Sequence, residues 1–205
     1  MFRTILATAL VLPISCWAQD AGVYVGGSFG WAKHRDACDT FGTVQSCDDS
    51  DRTWKLFLGY QANRHLSAEL GYADLGRTSI TATSQTSLGG IGTTDTRTKA
   101  NAWELVSVGS LPVVGGLSLL GRAGVYRSDV KKETENTGFP SFVPRSQEAR
   151  AHNYGLTAGL GAKYQIARGF AVRLEFQRYF GVGDDDAGIA EKDIDTLSAG
   201  LLYRF

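Results

Sequence analysis

The sequence predicts an all-β chain, an eight-stranded antiparallel up-and-down transmembrane β-barrel, and three observations predict it. Eight segments alternate apolar residues with small or polar ones at a period of two. The segments between them are alternately short and long, and the chain ends in mid-strand on an aromatic residue, Phe205. Chain ends usually fray in water. A membrane barrel, by contrast, must pair its last strand with its first, because an open sheet edge cannot be satisfied in hydrocarbon.

The amino terminus supports the same compartment. Met1-Phe2-Arg3-Thr4 carries one positive charge, Ile5 to Ile14 form an apolar run, and Cys16-Trp17-Ala18 resembles a small-x-small cleavage site, so residues 1–18 read as a secretory signal and 19–205 as the barrel. The run is too short for a membrane helix, which needs about 20 apolar residues. Lipid modification of Cys16 is disfavoured by Pro13 and Ile14, which stand where a lipoprotein signal normally has Leu and a small residue. Formal net charge is +0, so no charge excess points to nucleic acid or a polyanion. With 25 Gly and 11% aromatic residues, the composition suits turns and packed strands better than a helical core. A hydropathy plot would miss the strands, because each barrel strand shows only weak alternating apolarity.

Seven of the eight segments have a legible facing, and that of the fourth is ambiguous. Gly22 to Ala32 sets Val23, Val25, Gly27, Phe29 and Trp31 against Tyr24, Gly26, Ser28 and Gly30. Thr53 to Gln61 puts Trp54, Leu56, Leu58 and Tyr60 outward, and Leu66 to Asp74 alternates Leu66, Ala68, Leu70 and Tyr72 with Ser67, Glu69, Gly71 and Ala73. In the fourth, from Ala100 to Leu111, Trp103, Leu105, Val106 and Val108 do not keep one parity, so a bulge is expected near Val106. Leu117 to Tyr126 sets Leu117, Leu119, Gly121, Ala123 and Val125 outward, and Tyr154 to Tyr164 does the same with Tyr154, Leu156, Ala158, Leu160 and Ala162. Gly155-x-x-x-Gly159 has the spacing of a helix-dimer motif, but its strand context cancels that reading. Phe170 to Phe180 turns Phe170, Val172, Leu174 and Phe176 outward, and the last segment does so with Leu197, Ala199, Leu201, Tyr203 and Phe205.

The connections set the orientation. Asn63 to His65, Pro112 to Gly116 and Ala167 to Gly169 are short, whereas Lys33 to Arg52, Gly76 to Thr98, Arg127 to Arg150 and Gly181 to Asp193 are long and polar. Such barrels have short periplasmic turns and long extracellular loops, with aromatic girdles at both interfaces. Trp31, Trp54, Tyr60, Tyr72, Trp103, Tyr164, Phe170 and Tyr203 stand where girdles would need them. A soluble sandwich would turn a charged face to water. Here the second face is rich in Gly, Ser and Thr, which suits a narrow lumen filled by side chains.

Cys38 and Cys47 lie in one polar loop and are expected to form a disulfide, stabilising the loop by about 2–3 kcal/mol. No His lies between them, and His34 alone is nearby, so zinc is the weaker alternative. Inward parity falls to Glu69, Arg122, Lys163, Arg173 and Glu175, a lumen charge network whose members must pair or neutralise. Catalysis is not expected. His34, His65 and His152 lack the neighbouring Ser or paired acid that a nucleophile needs. The runs Asp48-Asp49-Ser50-Asp51 and Asp184-Asp185-Asp186 lack a ligand loop, so no metal or other cofactor is expected; repulsion of neighbouring chains or contact with cation-bridged lipopolysaccharide fits them better.

The run Leu66-Ser67-Ala68-Glu69-Leu70-Gly71-Tyr72-Ala73-Asp74-Leu75-Gly76-Arg77 resembles the third strand of the OmpA transmembrane domain. Arg173-Leu174-Glu175-Phe176-Gln177 is similar to its seventh strand and Leu201-Leu202-Tyr203-Arg204-Phe205 to its last. The resemblance implies an eight-stranded barrel of the OmpA and opacity-protein type in the outer membrane of a Gram-negative bacterium. It implies that Glu69 and Arg173 match an interior salt-bridge gate. Lys163 stands where the family has an acid, so a Lys163–Glu175 contact is expected in its place. The resemblance further implies that the Tyr203 and Phe205 ending is read by the barrel assembly machinery. The sequence stops at the barrel, so a cell-wall tethering role is not carried over. Two functions follow as expectations: a monomeric pedestal whose four loops bind a host or cell-surface ligand or serve the envelope structurally, and a small porin-like channel with an internal charge gate. An eight-stranded interior holds only side chains, which argues against general diffusion.

Overall fold

The computed structural model describes residues 21–35, 44–48, 50–85, 91–138, 141–184 and 189–205. The expected signal at 1–18, Cys38, Asp49, Asp185 and Asp186 lie outside the described residues, and for Cys47 only the backbone is described. The strands are β1 (Gly22–His34), β2 (Val44–Asp48), β3 (Ser50–Asn63), β4 (Leu66–Gln85), β5 (Ile91–Val114), β6 (Leu117–Gly138), β7 (Ser141–Ala167), β8 (Phe170–Asp184) and β9 (Ile189–Arg204). All pair antiparallel in the order β2-β4-β3-β1-β9-β8-β7-β6-β5, and β4 also pairs with β5, so every strand but β2 belongs to a closed eight-stranded ring. Short β2 lies on the outer extension of β4, with Cys47 opposite Ile80.

The period-2 pattern is the cause of the closed wall. Outward residues such as Leu56, Leu58, Leu105, Leu156, Leu160 and Leu174 are all more than half exposed, the surface that lipid covers, while alternate positions are buried inside. The seam between β1 and β9 runs from Tyr24 opposite Arg204 to His34 opposite Ile194, and the Phe205 amide donates to the Val23 carbonyl at 3.1 Å. Glycine lets the seam close: a Cβ on Gly30 would meet the Leu197 carbonyl oxygen and lie 2.6 Å from Ser198 Cα.

The β5–β6 turn places Gly115 and Gly116 at φ of 58° and 84°, and Gly169 closes the β7–β8 turn at 82°, a region that L side chains rarely adopt. Asn63 Oδ1 caps the β3–β4 turn, accepting from the His65 amide at 2.8 Å and the Leu66 amide at 2.9 Å. Two aromatic belts flank the wall. Trp54, Tyr72 and Trp103 pack in a row at the outer edge, with centroid separations of 5.7 and 5.1 Å. At the inner edge Phe170, Tyr203 and Phe205 form a second row at 4.7 and 5.1 Å.

The strands differ from the sequence expectation in three places. No bulge interrupts β5 at Val106: its register with β4 and β6 is continuous from Asn101 to Gly109. Val106 and Val108 point inward and pack with Leu120, so the apolar run reports a greasy patch of lumen. His34 belongs to β1, buried and within 3.2 Å of the Leu75 carbonyl, where a loop was expected. Most of the segments 76–98 and 127–150 are paired strand and not loop, forming hairpins that continue the wall outward. The β-branched Thr96 and Thr98 and the cross-strand opposite charges Arg97 and Glu133 favour that pairing. From Trp103 in the outer belt to Gly92, β5 runs about 35 Å of strand beyond the membrane edge, at roughly 3.3 Å per residue.

Candidate functional site

Among the described residues, the lumen is where the wall brings titratable groups together away from solvent, and strand parity is what puts them there. Lys55 on β3, Glu69 on β4, Glu104 on β5, Arg122 on β6, and Arg173 and Glu175 on β8 are all buried on the inner face. Arg122 lies at the centre. Its Nη2 is 2.8 Å from Glu104 and 3.4 Å from Glu69, and its Nη1 contacts Glu175. Arg173 donates to Glu69 at 2.6 Å and lies 2.7 Å from Glu175, while its guanidinium stacks on Phe57 with Cζ 4.0 Å from the ring centroid. Lys55 Nζ lies 3.5 Å from Glu104 and 3.8 Å from Glu175.

Neutral donors complete the cluster. Tyr24 donates to Glu69 at 2.7 Å, and both Gln177 and Tyr179 donate to Glu104 at 2.7 Å. Gln177 in turn accepts from Lys55 at 2.8 Å. Three cations face three carboxylates, and each carboxylate lies within ion-pair distance of at least two cations. Buried charges survive only with that kind of compensation. The arrangement ties all three carboxylates into ion pairs inside the lumen.

Above and below the cluster the lumen differs. Toward the outside, Leu75, Tyr126, Tyr179, Val182 and Ile194 form an apolar cluster with Ala32 and other alanines, closing the upper lumen. The Tyr126 and Tyr179 rings meet edge to face at 5.4 Å, and Tyr126 donates to the Phe180 carbonyl at 2.6 Å. Toward the periplasm, a cavity of about 870 Å³ opens between the turns and reaches up to Glu69 and Arg173.

Glu69, Arg122, Arg173 and Glu175 join in one network. Lys163 does not contact Glu175: it lies opposite Arg173 and lines the periplasmic cavity, whereas Glu175 sits opposite Gly161, one pleat further out, with its oxygens on Arg122, Arg173 and Lys55. Lys55 and Glu104 complete the network and were missed in the sequence. Lys55 could have been found by parity, between outward Trp54 and Leu56, and Glu104 was obscured by the apolar Val106 and Val108 on the same face. Tyr203 and Phe205 lie in the inner aromatic row. His65 sits in the β3–β4 turn near the Ser110 carbonyl, and His152 pairs with Asp129 on the outer part of β6 and β7, both exposed. Among the described residues no group of three His, Cys, Asp or Glu is placed to hold a metal.

Comparison with known proteins gives a consistent result. The family model described as OmpA-like transmembrane domain matches residues 18–205. Outer membrane protein A of Yersinia pseudotuberculosis is 31% identical over 195 residues, covering 91% of this chain and 49% of that protein. Outer membrane protein P5 of Haemophilus influenzae is 34% identical over 166 residues, covering 75% of this chain and 44% of that protein. This chain thus spans about half the length of the curated relatives it matches. Among solved structures, Neisserial surface protein A shares the fold with a TM-score of 0.54 at 14% identity, covering 90% of this chain and 99% of that one.

Proposed function

The chain belongs to the OmpA-like transmembrane domain family and is an integral outer-membrane β-barrel, and on that premise we propose that its barrel is a closed pedestal whose extracellular hairpins make contacts at the cell surface. The observation that carries the reading is the continuation of β4, β5, β6 and β7 far past the outer aromatic belt as paired, polar ribbon. A wall that served only to cross the membrane needs about 9–11 residues per strand. Here β5 has 24 and β7 has 27, so the excess is invested in display. Loops and hairpins on a rigid scaffold are where binding commonly resides. Below them, the apolar cluster occupies the outer part of the lumen and the charge network its middle.

In this reading the protein acts as an adhesion or envelope-structural factor, a monomer without enzymatic activity. Its neighbours are outer-membrane lipid and lipopolysaccharide, its ligand is a host or cell-surface group met by the hairpins, and Cys38 with Cys47 ties down the first loop. The test is a trimmed variant in which the β6–β7 hairpin beyond Lys131 and Arg150 is replaced by a short turn. Cells displaying the intact chain should adhere to a host surface or survive serum better than cells displaying the trimmed chain at equal surface level. Equal performance of the two overturns the reading.

One observation favours a second reading, a small gated conductance: the periplasmic cavity runs up to Glu69 and Arg173, so those side chains form its inner limit. Conduction would require the apolar cluster above them to open as well. Planar-bilayer recording tests it: discrete steps altered by Arg173→Ala support the gate, and a silent barrel refutes it.

A further inference from the structure

We propose that the periplasmic vestibule binds a small oxyanion, of the phosphate or carboxylate type, between Lys163 and Arg173. The two residues are direct cross-strand partners on the inner face of β7 and β8. Like charges so placed destabilise a sheet unless something compensates them. Arg173 has carboxylates of its own, but Lys163 forms no close ion pair among the described residues: Glu69, the carboxylate whose charge reaches it, is held by Arg122 and Arg173.

The arginine is also incompletely used. Its side chain is buried, its Nη1 is pinned by Glu69 and its Nε lies beside Glu175, yet Nη2 has no hydrogen-bond acceptor. A buried donor left unmade costs free energy comparable to a lost hydrogen bond. Stacking on Phe57 holds the guanidinium plane in place before any ligand arrives. Arg173 and Lys163 both line the vestibule, whose wall also carries the Ser67 and Ser118 side chains. A guanidinium N–H and an ammonium side by side are the donor set that oxyanions take. Arg64, Arg168 and Arg204 line the same cavity toward its mouth and would raise the local concentration of anions there. With the upper lumen closed by the apolar cluster, the ligand enters from the periplasmic side. The vestibule has room for more than a bare ion, so the oxyanion is free to be the head of a larger solute or of an inner-leaflet phospholipid.

The test is an amide-shift titration of the full chain by NMR. In zwitterionic detergent at constant ionic strength, inorganic phosphate or acetate should produce saturable shifts at residues 161–165 and 171–175. Lys163→Gln should weaken the midpoint at least tenfold while heat-modifiable migration stays normal. In phosphate-free vesicles containing phosphatidylglycerol, the same amides shift if a lipid headgroup is the source and stay still if the ligand is a soluble anion. Absence of saturable shifts in both arms overturns the proposal. So does a Lys163→Gln protein that titrates like the wild type, or a response lost in Arg64→Gln or Arg168→Gln but kept in Lys163→Gln.

Discussion

Replacing Arg122 by Met removes the cation at the centre of the lumen network while keeping a side chain of similar reach. Three carboxylates lose a partner. Glu69 keeps Arg173 at 2.6 Å and Tyr24 at 2.7 Å. Glu175 keeps Arg173 at 2.7 Å, and Glu104 keeps Lys55 at 3.5 Å together with Gln177 and Tyr179. The cluster therefore changes from neutral to one uncompensated negative charge, in a lumen where Glu69 and Glu104 are each 1% exposed. Leaving a buried charge unpaired costs about 3–5 kcal/mol. Because each carboxylate retains partners, the lower end, about 3 kcal/mol, is expected. With a urea slope of about 1–3 kcal/mol per molar, the unfolding midpoint in lipid vesicles should fall by about 1–3 M. The diagnostic is charge balance: adding Glu104→Gln to Arg122→Met restores neutrality and should recover at least half of the loss. A single mutant within about 1 kcal/mol of the wild type refutes the reasoning, since buried networks normally respond more strongly. A double mutant no more stable than the single one refutes it too.

Three further outcomes are expected. Gly30→Ala, whose Cβ would strike the β9 backbone, should prevent tight closure of the β1–β9 seam, cost about 2 kcal/mol or more, and reduce the compact, unheated gel form. Phe205→Ser should lower insertion in cells more than folding in detergent, because the proposed assembly signal is lost while only one exposed ring leaves the inner belt; normal surface levels would argue against it. In a chain whose native cysteines are changed to serine, Val108→Cys should react with a water-soluble thiol reagent from the periplasmic cavity and Ser107→Cys, on the lipid face, should not; the reverse would restore a bulge in β5.

The strands that cross the membrane were legible in the sequence because one face meets lipid and the other a packed lumen, which forces period-2 alternation from Gly22 to Ala32 and from Phe170 to Phe180. Above the outer belt that cause disappears. Asp95 to Lys99 have water on the outside, so nothing in their polarity separates a hairpin ribbon from a loop, and only Thr content and cross-strand partners such as Arg97 and Glu133 carry the information. In β5 the apolar patch at Val106 and Val108 mimicked a broken parity, which hid both their true facing and Glu104 beside them. Lys163 exposes a different limit. Parity fixes which face a side chain takes, but not its height relative to neighbouring strands. Only the register sets it beside Arg173 and away from Glu175.

The central claim, that the barrel is a pedestal and the hairpins carry the contact, is tested most directly by transplantation. Segments 77–98 and 127–150 are grafted onto the matching strand ends of an unrelated eight-stranded barrel, and adherence of cells displaying the chimera is measured against cells displaying its parent. Adherence should follow the hairpins to the new scaffold. Adherence that stays with this chain's own membrane strands, and is not gained by the chimera at equal surface level, would contradict the account.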